Sequence, residues 1–170
     1  MKNKYFLISF VSTILLLFGG TYWFAKYKLS DLVSGVELNS SVNDLYVKDY
    51  LSNSTNICVE KKYKLINLWA TWCKPCVKEL PELIKFKEEY SKKCTFYFIS
   101  NQERTDIDKL CNNKKFEKNN FFQFEKSTNN DINFFVLPKS ILLDENNKII
   151  WQKTSALDSN DFEKIKKLLH

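Results

Sequence analysis

The sequence predicts an α/β sandwich around a mixed sheet, set behind one membrane-spanning helix. Three observations carry that prediction. From Tyr63 onward, apolar runs of strand length alternate with segments of helical period. Two cysteines separated by two residues, Cys73 and Cys76, stand where one of those runs gives way to a helical pattern. No charged residue occurs from Tyr5 to Ala25.

The charge-free run comes first in the chain. A helix over residues 5–25 rises roughly 30 Å, enough to cross a bilayer core. Lys2, Lys4 and the small pair Gly19-Gly20 also suit a cleaved signal peptide. Against cleavage, no A-x-A-like site follows, the run exceeds an ordinary signal core, and Tyr22-Trp23-Phe24 has the make-up of an interfacial aromatic belt. The expectation is an uncleaved anchor over residues 1–28. No cysteine near the end of the run offers a lipidation site. Lys2 and Lys4 are balanced by Lys26 and Lys28, so charge alone does not orient the span. A short tail before a long polar domain usually leaves that domain exported, the expectation here, which the resemblance given below places at a bacterial-type inner (cytoplasmic) membrane. The net charge is +6, but four of the 26 basic residues precede the first acidic one, Asp31, and the remaining 22 basic residues face 20 acidic ones. That balance gives no case for nucleic-acid binding.

Residues 29–60 read as a tether and extension. Ser, Asn and Asp clusters surround one mildly apolar piece, Leu45-Tyr46-Val47, which predicts a short edge strand or hairpin. The domain proper is expected over residues 61–170. Tyr63 to Trp69 is a short apolar run suited to a buried strand, and Cys73 to Tyr90 carries apolar residues at near-helical period. Thr95 to Ser100, rich in aromatics, predicts a second central strand. Arg104 to Lys115 predicts a helix with Ile107, Leu110 and Cys111 on one face, followed by a short strand over Asn120 to Phe124. Pro138 must stand at a strand start or a turn, because it cannot donate in a central ladder. Asp144-Glu145-Asn146-Asn147 is turn chemistry joining Ser140–Leu143 to Lys148–Trp151 as a hairpin. Asp158 or Ser159 can cap a closing helix over Asn160 to Leu169, with Phe162, Ile165, Leu168 and Leu169 facing inward.

Five cysteines and a single histidine, His170, bound the chemistry. Cys58, Cys94 and Cys111 show no pattern; two of them could bridge in an oxidising compartment, spacing does not choose which, and buried, inert thiols are the default. A zinc site needs a second close pair or histidines, so no metal is expected, nor any other cofactor. The lack of any histidine besides His170 also excludes Ser-His and Cys-His hydrolases, and Val77 stands where haem attachment requires histidine.

A strand that delivers Cys-x-x-Cys to the first turn of a helix is the arrangement of dithiol–disulfide exchange. The motif Trp72-Cys73-Lys74-Pro75-Cys76, Pro81 within the following helix, Leu137-Pro138 before a strand, and the hairpin Ile141 to Ile149 resemble the thioredoxin fold and, within it, the TlpA/ResA-type membrane-anchored thiol–disulfide oxidoreductases. The resemblance covers about Lys61 to His170 and implies a thioredoxin-like three-layer sandwich with a mixed central sheet.

It also implies roles. Cys73 would attack a substrate disulfide, its thiolate favoured by the helix start, and Cys76 would resolve the mixed disulfide. Pro75 stiffens the turn, and Lys74 puts a cation beside the thiolate or is simply solvated. Trp72 would shape the docking surface, whereas core packing suits Trp69. Glu79, one turn past Cys76, matches a glutamate that manages protons at the dithiol; a surface glutamate countering Lys78 and Lys85 is the bland alternative. Asn67 stands where cytoplasmic thioredoxins carry a buried aspartate, and it cannot titrate. Pro138 is expected to be cis and to hold the Leu137 backbone beside Cys73 for pairing with an extended substrate. By the same resemblance the partners are protein disulfides and a membrane thiol–electron donor, in cytochrome c maturation or general thiol reduction. A disulfide oxidase or isomerase, and a binding module with structural cysteines, remain the competing readings.

Overall fold

The computed structural model describes Gly19 and residues 40–128 and 132–169. The expected span at 5–25 lies outside the described residues except for Gly19; among the described residues no helix is long and apolar enough to cross a membrane. The architecture below belongs to the compact unit Val36–His170.

Seven strands form one sheet in the order β2-β1-β5-β4-β3-β6-β7. They are β1 (Tyr46–Lys48), β2 (Ser54–Asn56), β3 (Tyr63–Leu68), β4 (Cys94–Ser100), β5 (Phe121–Lys126), β6 (Lys139–Leu143) and β7 (Ile149–Lys153). β3 pairs parallel with β4 and antiparallel with β6, and β4 pairs parallel with β5. The remaining pairs, β1 with β2, β1 with β5 and β6 with β7, are antiparallel, so the sheet is mixed as expected. The register shifts at Tyr46/Val47 and again at Leu142/Leu143.

Three helices connect or close the strands: α1 (Lys74–Tyr90), α2 (Arg104–Lys114) and α3 (Ser159–Leu168). α1 starts on Cys73, which caps in an extended conformation, and carries Pro75 in its first turn, where no intrahelical N–H bond is lost. Its buried stripe of Cys76, Glu79, Leu80, Leu83 and Phe86 follows the helical period. Pro81 stands inside this helix. Asp158 caps α3 with a full capping box to Asp161. One expectation for this helix fails, because Leu168 is exposed while Phe162, Ile165 and Leu169 are buried. At 3.6 residues per turn those three share a face and Leu168 falls to its flank.

The two faces of the sheet are covered differently. Side chains of all three helices (Leu80, Leu83 and Phe86; Ile107 and Cys111; Phe162 and Ile165) join Leu65, Trp69, Phe96, Phe98, Phe121 and Leu142 in one apolar cluster. On the other face, Ile66, Leu68, Ile99 and Ile141 pack against Val42, Leu45, Ile57, Cys58 and Ile132. The expected third layer is therefore built, among the described residues, from extended chain and a 3-10 turn at Ile57–Val59 rather than from a helix.

Central position explains why β3 shows no polar face: Lys64 to Leu68 are all buried. Lys64 is accommodated because its Nζ donates to Lys62 O at 2.9 Å and Asn147 Oδ1 at 2.8 Å. Asn147, with φ of 63°, stands in the hairpin turn between β6 and β7 and donates its own amide to Cys58 O. Asparagine tolerates that left-handed conformation better than most residues.

Candidate active site

Beyond β3 the chain makes one more sheet bond, Trp69 N–H to Ile99 O at 3.0 Å, and then turns tightly, with Cys73 N–H donating to Ala70 O at 3.1 Å. Gln102, at the end of β4, accepts from the Thr71 N–H and fixes that turn from outside. Trp69 is fully buried, edge-on to Phe121 with ring centroids 5.2 Å apart, which agrees with its expected core role. Trp72 is 69% exposed.

Cys73 and Cys76 form a disulfide, with Cα atoms 5.2 Å apart. Both are buried, Cys76 completely. The Cys76 N–H donates to Cys73 Sγ at 3.3 Å, so the first sulfur lies where the free N–H groups of the helix start converge. That place favours a thiolate, by hydrogen bonding and by the positive end of the helix dipole. Lys74 and Pro75, between the cysteines, are exposed.

Glu79 is 7% exposed, which removes the surface-glutamate alternative. Its Oε1 accepts from Asn67 Nδ2 at 3.0 Å and its Oε2 from the Leu157 N–H at 2.9 Å. Burial raises its pKa above the ordinary carboxylate value, against the lowering effect of both hydrogen bonds and of the Lys153 charge. Asn67 Nδ2 also donates to Ser140 Oγ at 2.9 Å. Asn67 on β3 and the Leu157 N–H just before α3 bond the carboxyl group of α1 directly, and Ser140 on β6 is linked to it through Asn67.

Leu137-Pro138 is a cis peptide and leads directly into β6. Leu137 packs against both apolar clusters and Pro138 is buried. Next to them the chain leaves Phe135 93% exposed and Val136 partly so. Cys58, Cys94 and Cys111 are free and buried; burial pushes all three thiols up, Cys94 to about 12 and Cys111 to about 11. No group of acidic, histidine and cysteine residues able to hold a metal occurs among the described residues.

Sequence reasoning missed Gln102, Ser140, Leu157 and Phe135. Ser140 had a signal, since strand alternation from Asn67 across an antiparallel partner puts a β6 side chain beside it, and the register pairs Asn67 with Ser140. Phe135 also had one, as an aromatic run flanking a proline. Gln102 and the Leu157 backbone N–H had none.

The Redoxin family model matches residues 47–169, starting ahead of Lys61, inside β1, and taking in β2. The thioredoxin-like protein YneN of Bacillus subtilis is 27% identical over 138 residues, 78% of this chain and 80% of its own length. Thiol-disulfide oxidoreductase ResA of Bacillus cereus is 26% identical over 157 residues, 88% of this chain and 87% of its own. Among solved structures, the thioredoxin domain of a Bacteroides vulgatus thiol-disulfide oxidoreductase aligns with a TM-score of 0.65 at 24% identity, covering 79% of this chain and 99% of that one. A thiol:disulfide interchange protein from a Bacteroides species aligns with the same score at 23% identity, covering 79% and 91%. The structural likenesses carry the fold: a thioredoxin-like α/β arrangement on a mixed sheet.

Proposed function

We propose that this chain, which belongs to the Redoxin family and is a thioredoxin-like thiol–disulfide oxidoreductase of the TlpA/ResA type, reduces disulfides in proteins on the exported side of a bacterial cytoplasmic membrane. The observation that carries the reading is the pair itself, with Cys73 Sγ at the helix start accepting the Cys76 N–H and Cys76 wholly buried behind it. That asymmetry supports an attacking role for Cys73 and a resolving role for Cys76.

In the working cycle the Cys73 thiolate attacks one sulfur of a substrate disulfide. A mixed disulfide forms, the substrate S–S bond breaks, and the first substrate thiolate leaves and takes a proton from water. Cys76 then gives its proton to the Glu79 carboxylate one turn further along the inward face of α1, and its thiolate attacks Cys73 Sγ. The second substrate thiolate is released, and the Cys73–Cys76 disulfide present in this structure is the oxidised product. A thiol donor of matching potential must return two electrons before the next turnover. A membrane thiol carrier fits a domain tethered by a span at 5–25. Trp72, Phe135 and Val136 give an exposed apolar border, and the Leu137 backbone beside cis Pro138 gives an edge on which an extended substrate segment can pair. Lys74 puts its charge in solvent next to the thiolate.

Cys76→Ser expressed in cells tests the exchange chemistry and identifies the client. Mixed disulfides through Cys73 should accumulate, and their absence would mean the cysteines are structural. The trapped partner would also separate cytochrome c maturation from general thiol reduction. Direction is read from the reduction potential: a value near about −270 mV supports the reductant, and one near about −120 mV makes the protein an oxidase.

A further inference from the structure

Asn67 Oδ1 is buried and has no hydrogen-bond partner among the described residues, although it belongs to a side chain whose other end makes two bonds. Leaving such an acceptor unpaired in the interior costs about 1–3 kcal/mol. An asparagine amide has donors on one edge and an acceptor on the other, and a half-turn about Cβ–Cγ exchanges the edges. Nδ2 now lies between Glu79 Oε1 and Ser140 Oγ, 3.0 Å and 2.9 Å away. That arrangement suits a carboxylate, which only accepts. Once Glu79 holds a proton, the proton belongs on Oε1, because Oε2 is engaged by the Leu157 N–H. A donor would then face a donor.

We propose that Asn67 is a positioning residue whose side-chain amide turns over when Glu79 gains or loses its proton, so that the Asn67–Ser140 pair keeps the carboxyl group hydrogen-bonded in both states. In the turned position Oδ1 accepts from the Glu79 O–H and from the Ser140 O–H, a hydroxyl being able to donate as readily as it accepts. The amide therefore has two settings, each paired on one edge, and the charge on Glu79 selects between them. The proposal rests on the reading of Glu79 as the proton carrier for Cys76. The charged groups around Glu79 are Glu82 on its own helix and Lys153 on β7, whose ammonium is engaged by Asp158 and Asp161 at the start of α3; Cys76, one turn back on the helix, is held in the disulfide and does not titrate in the oxidised protein. β3 and β6 contribute Asn67 and Ser140 here, neither of which titrates.

The test is side-chain NMR of the full-length oxidised protein labelled at asparagine and glutamate. The Glu79 Cδ shift locates its titration. Above it, the Asn67 amide protons should show nuclear Overhauser contacts to Glu79 Hγ and Ser140 Hβ; below it, those contacts should be lost. E79Q should give the low-pH pattern at every pH, because its amide would donate toward Asn67 while its oxygen accepts from Leu157. Contacts that persist unchanged through the titration, or an E79Q spectrum with the high-pH pattern, would overturn the proposal. Since the measurement uses no substrate and no thiol, it stands or falls separately from the exchange activity.

Discussion

Burial of Glu79 has a thermodynamic signature that E79Q isolates. The carboxyl group is held at 7% exposure with its pKa raised from the ordinary 4.5, burial outweighing the two hydrogen bonds and the Lys153 charge. Between 4.5 and the raised value, the folded protein keeps a proton that the unfolded chain has released. Stability therefore falls as pH rises through that window, at up to about 1.4 kcal/mol per pH unit for one proton, and is level on either side. The contribution is fully present below 4.5 and is gone above the folded-state pKa. E79Q, nearly isosteric and unable to ionise, removes the slope. At low pH the two proteins should differ by no more than about 1 kcal/mol, the ordinary scale of one exchanged hydrogen bond. Urea melts of the oxidised proteins in half-unit steps from about pH 4 to 8 give the difference curve, from which shared groups such as Asp158 and Lys153 cancel. The wild type should lose ground to E79Q as pH rises and then run parallel to it. A flat difference, or one favouring wild type at higher pH, would mean that the Asn67 and Leu157 bonds outweigh desolvation, and the burial argument would be wrong.

Three further outcomes follow from the same coordinates. After reduction, alkylation of the folded protein at pH 8 should label Cys73 at the helix start and spare Cys94 and Cys111, since the thiolate fraction is on the order of 10⁻⁴ for Cys94 and 10⁻³ for Cys111; rapid labelling of either by mass spectrometry would contradict their burial. Leu83→Ala, which empties a fully buried site between α1 and the sheet, should cost about 2–5 kcal/mol in denaturant melts, and a cost under 1 would argue against a tight interface there. Gln102→Ala removes the acceptor of the Thr71 N–H; amide exchange at Thr71 should speed up while exchange in β3 stays slow, and equal acceleration of both would refute a local role.

How much of this was legible depended on where the determinants lie in the chain. β3, α1, β4 and the β6–β7 hairpin could be read because each is specified by its own residues: an apolar run, a helical stripe, an Asp144 side chain that accepts from the Asn146 and Lys148 N–H groups. Residues 40–60 were obscure because β1 and β2 have three residues each, too few for a period to register. That segment is ordered by side-chain bonds, such as Asn56 Oδ1 accepting from both Leu45 and Cys58 N–H. Cys73, Cys76 and the cis Leu137-Pro138 bond were expected from the motif. The surroundings of Glu79 were not, because the Leu157 N–H that fixes it lies 78 residues away and carries no side-chain signature. Lys64 misleads in the same way, since one of the two acceptors that hold its buried ammonium is Asn147, 83 residues on.

The two rims of the sheet matter for the company this protein is proposed to keep. An enzyme that handles loosely folded clients presents them with open backbone groups wherever a strand has no neighbour, and strand addition there would turn a catalyst into a seed for aggregation. One rim is β2, three polar residues long with Ser54 and Thr55 exposed, hung on a strand whose register is already shifted. The other is β7, which follows a second register shift and ends at Lys153, its ammonium pinned to Asp158 and Asp161. Short, irregular or charged borders of this kind leave little length on which a foreign strand can zip. In the proposed cycle this leaves the end of the sheet that carries Cys73 as the place for client contact, where pairing with an extended segment would end in release.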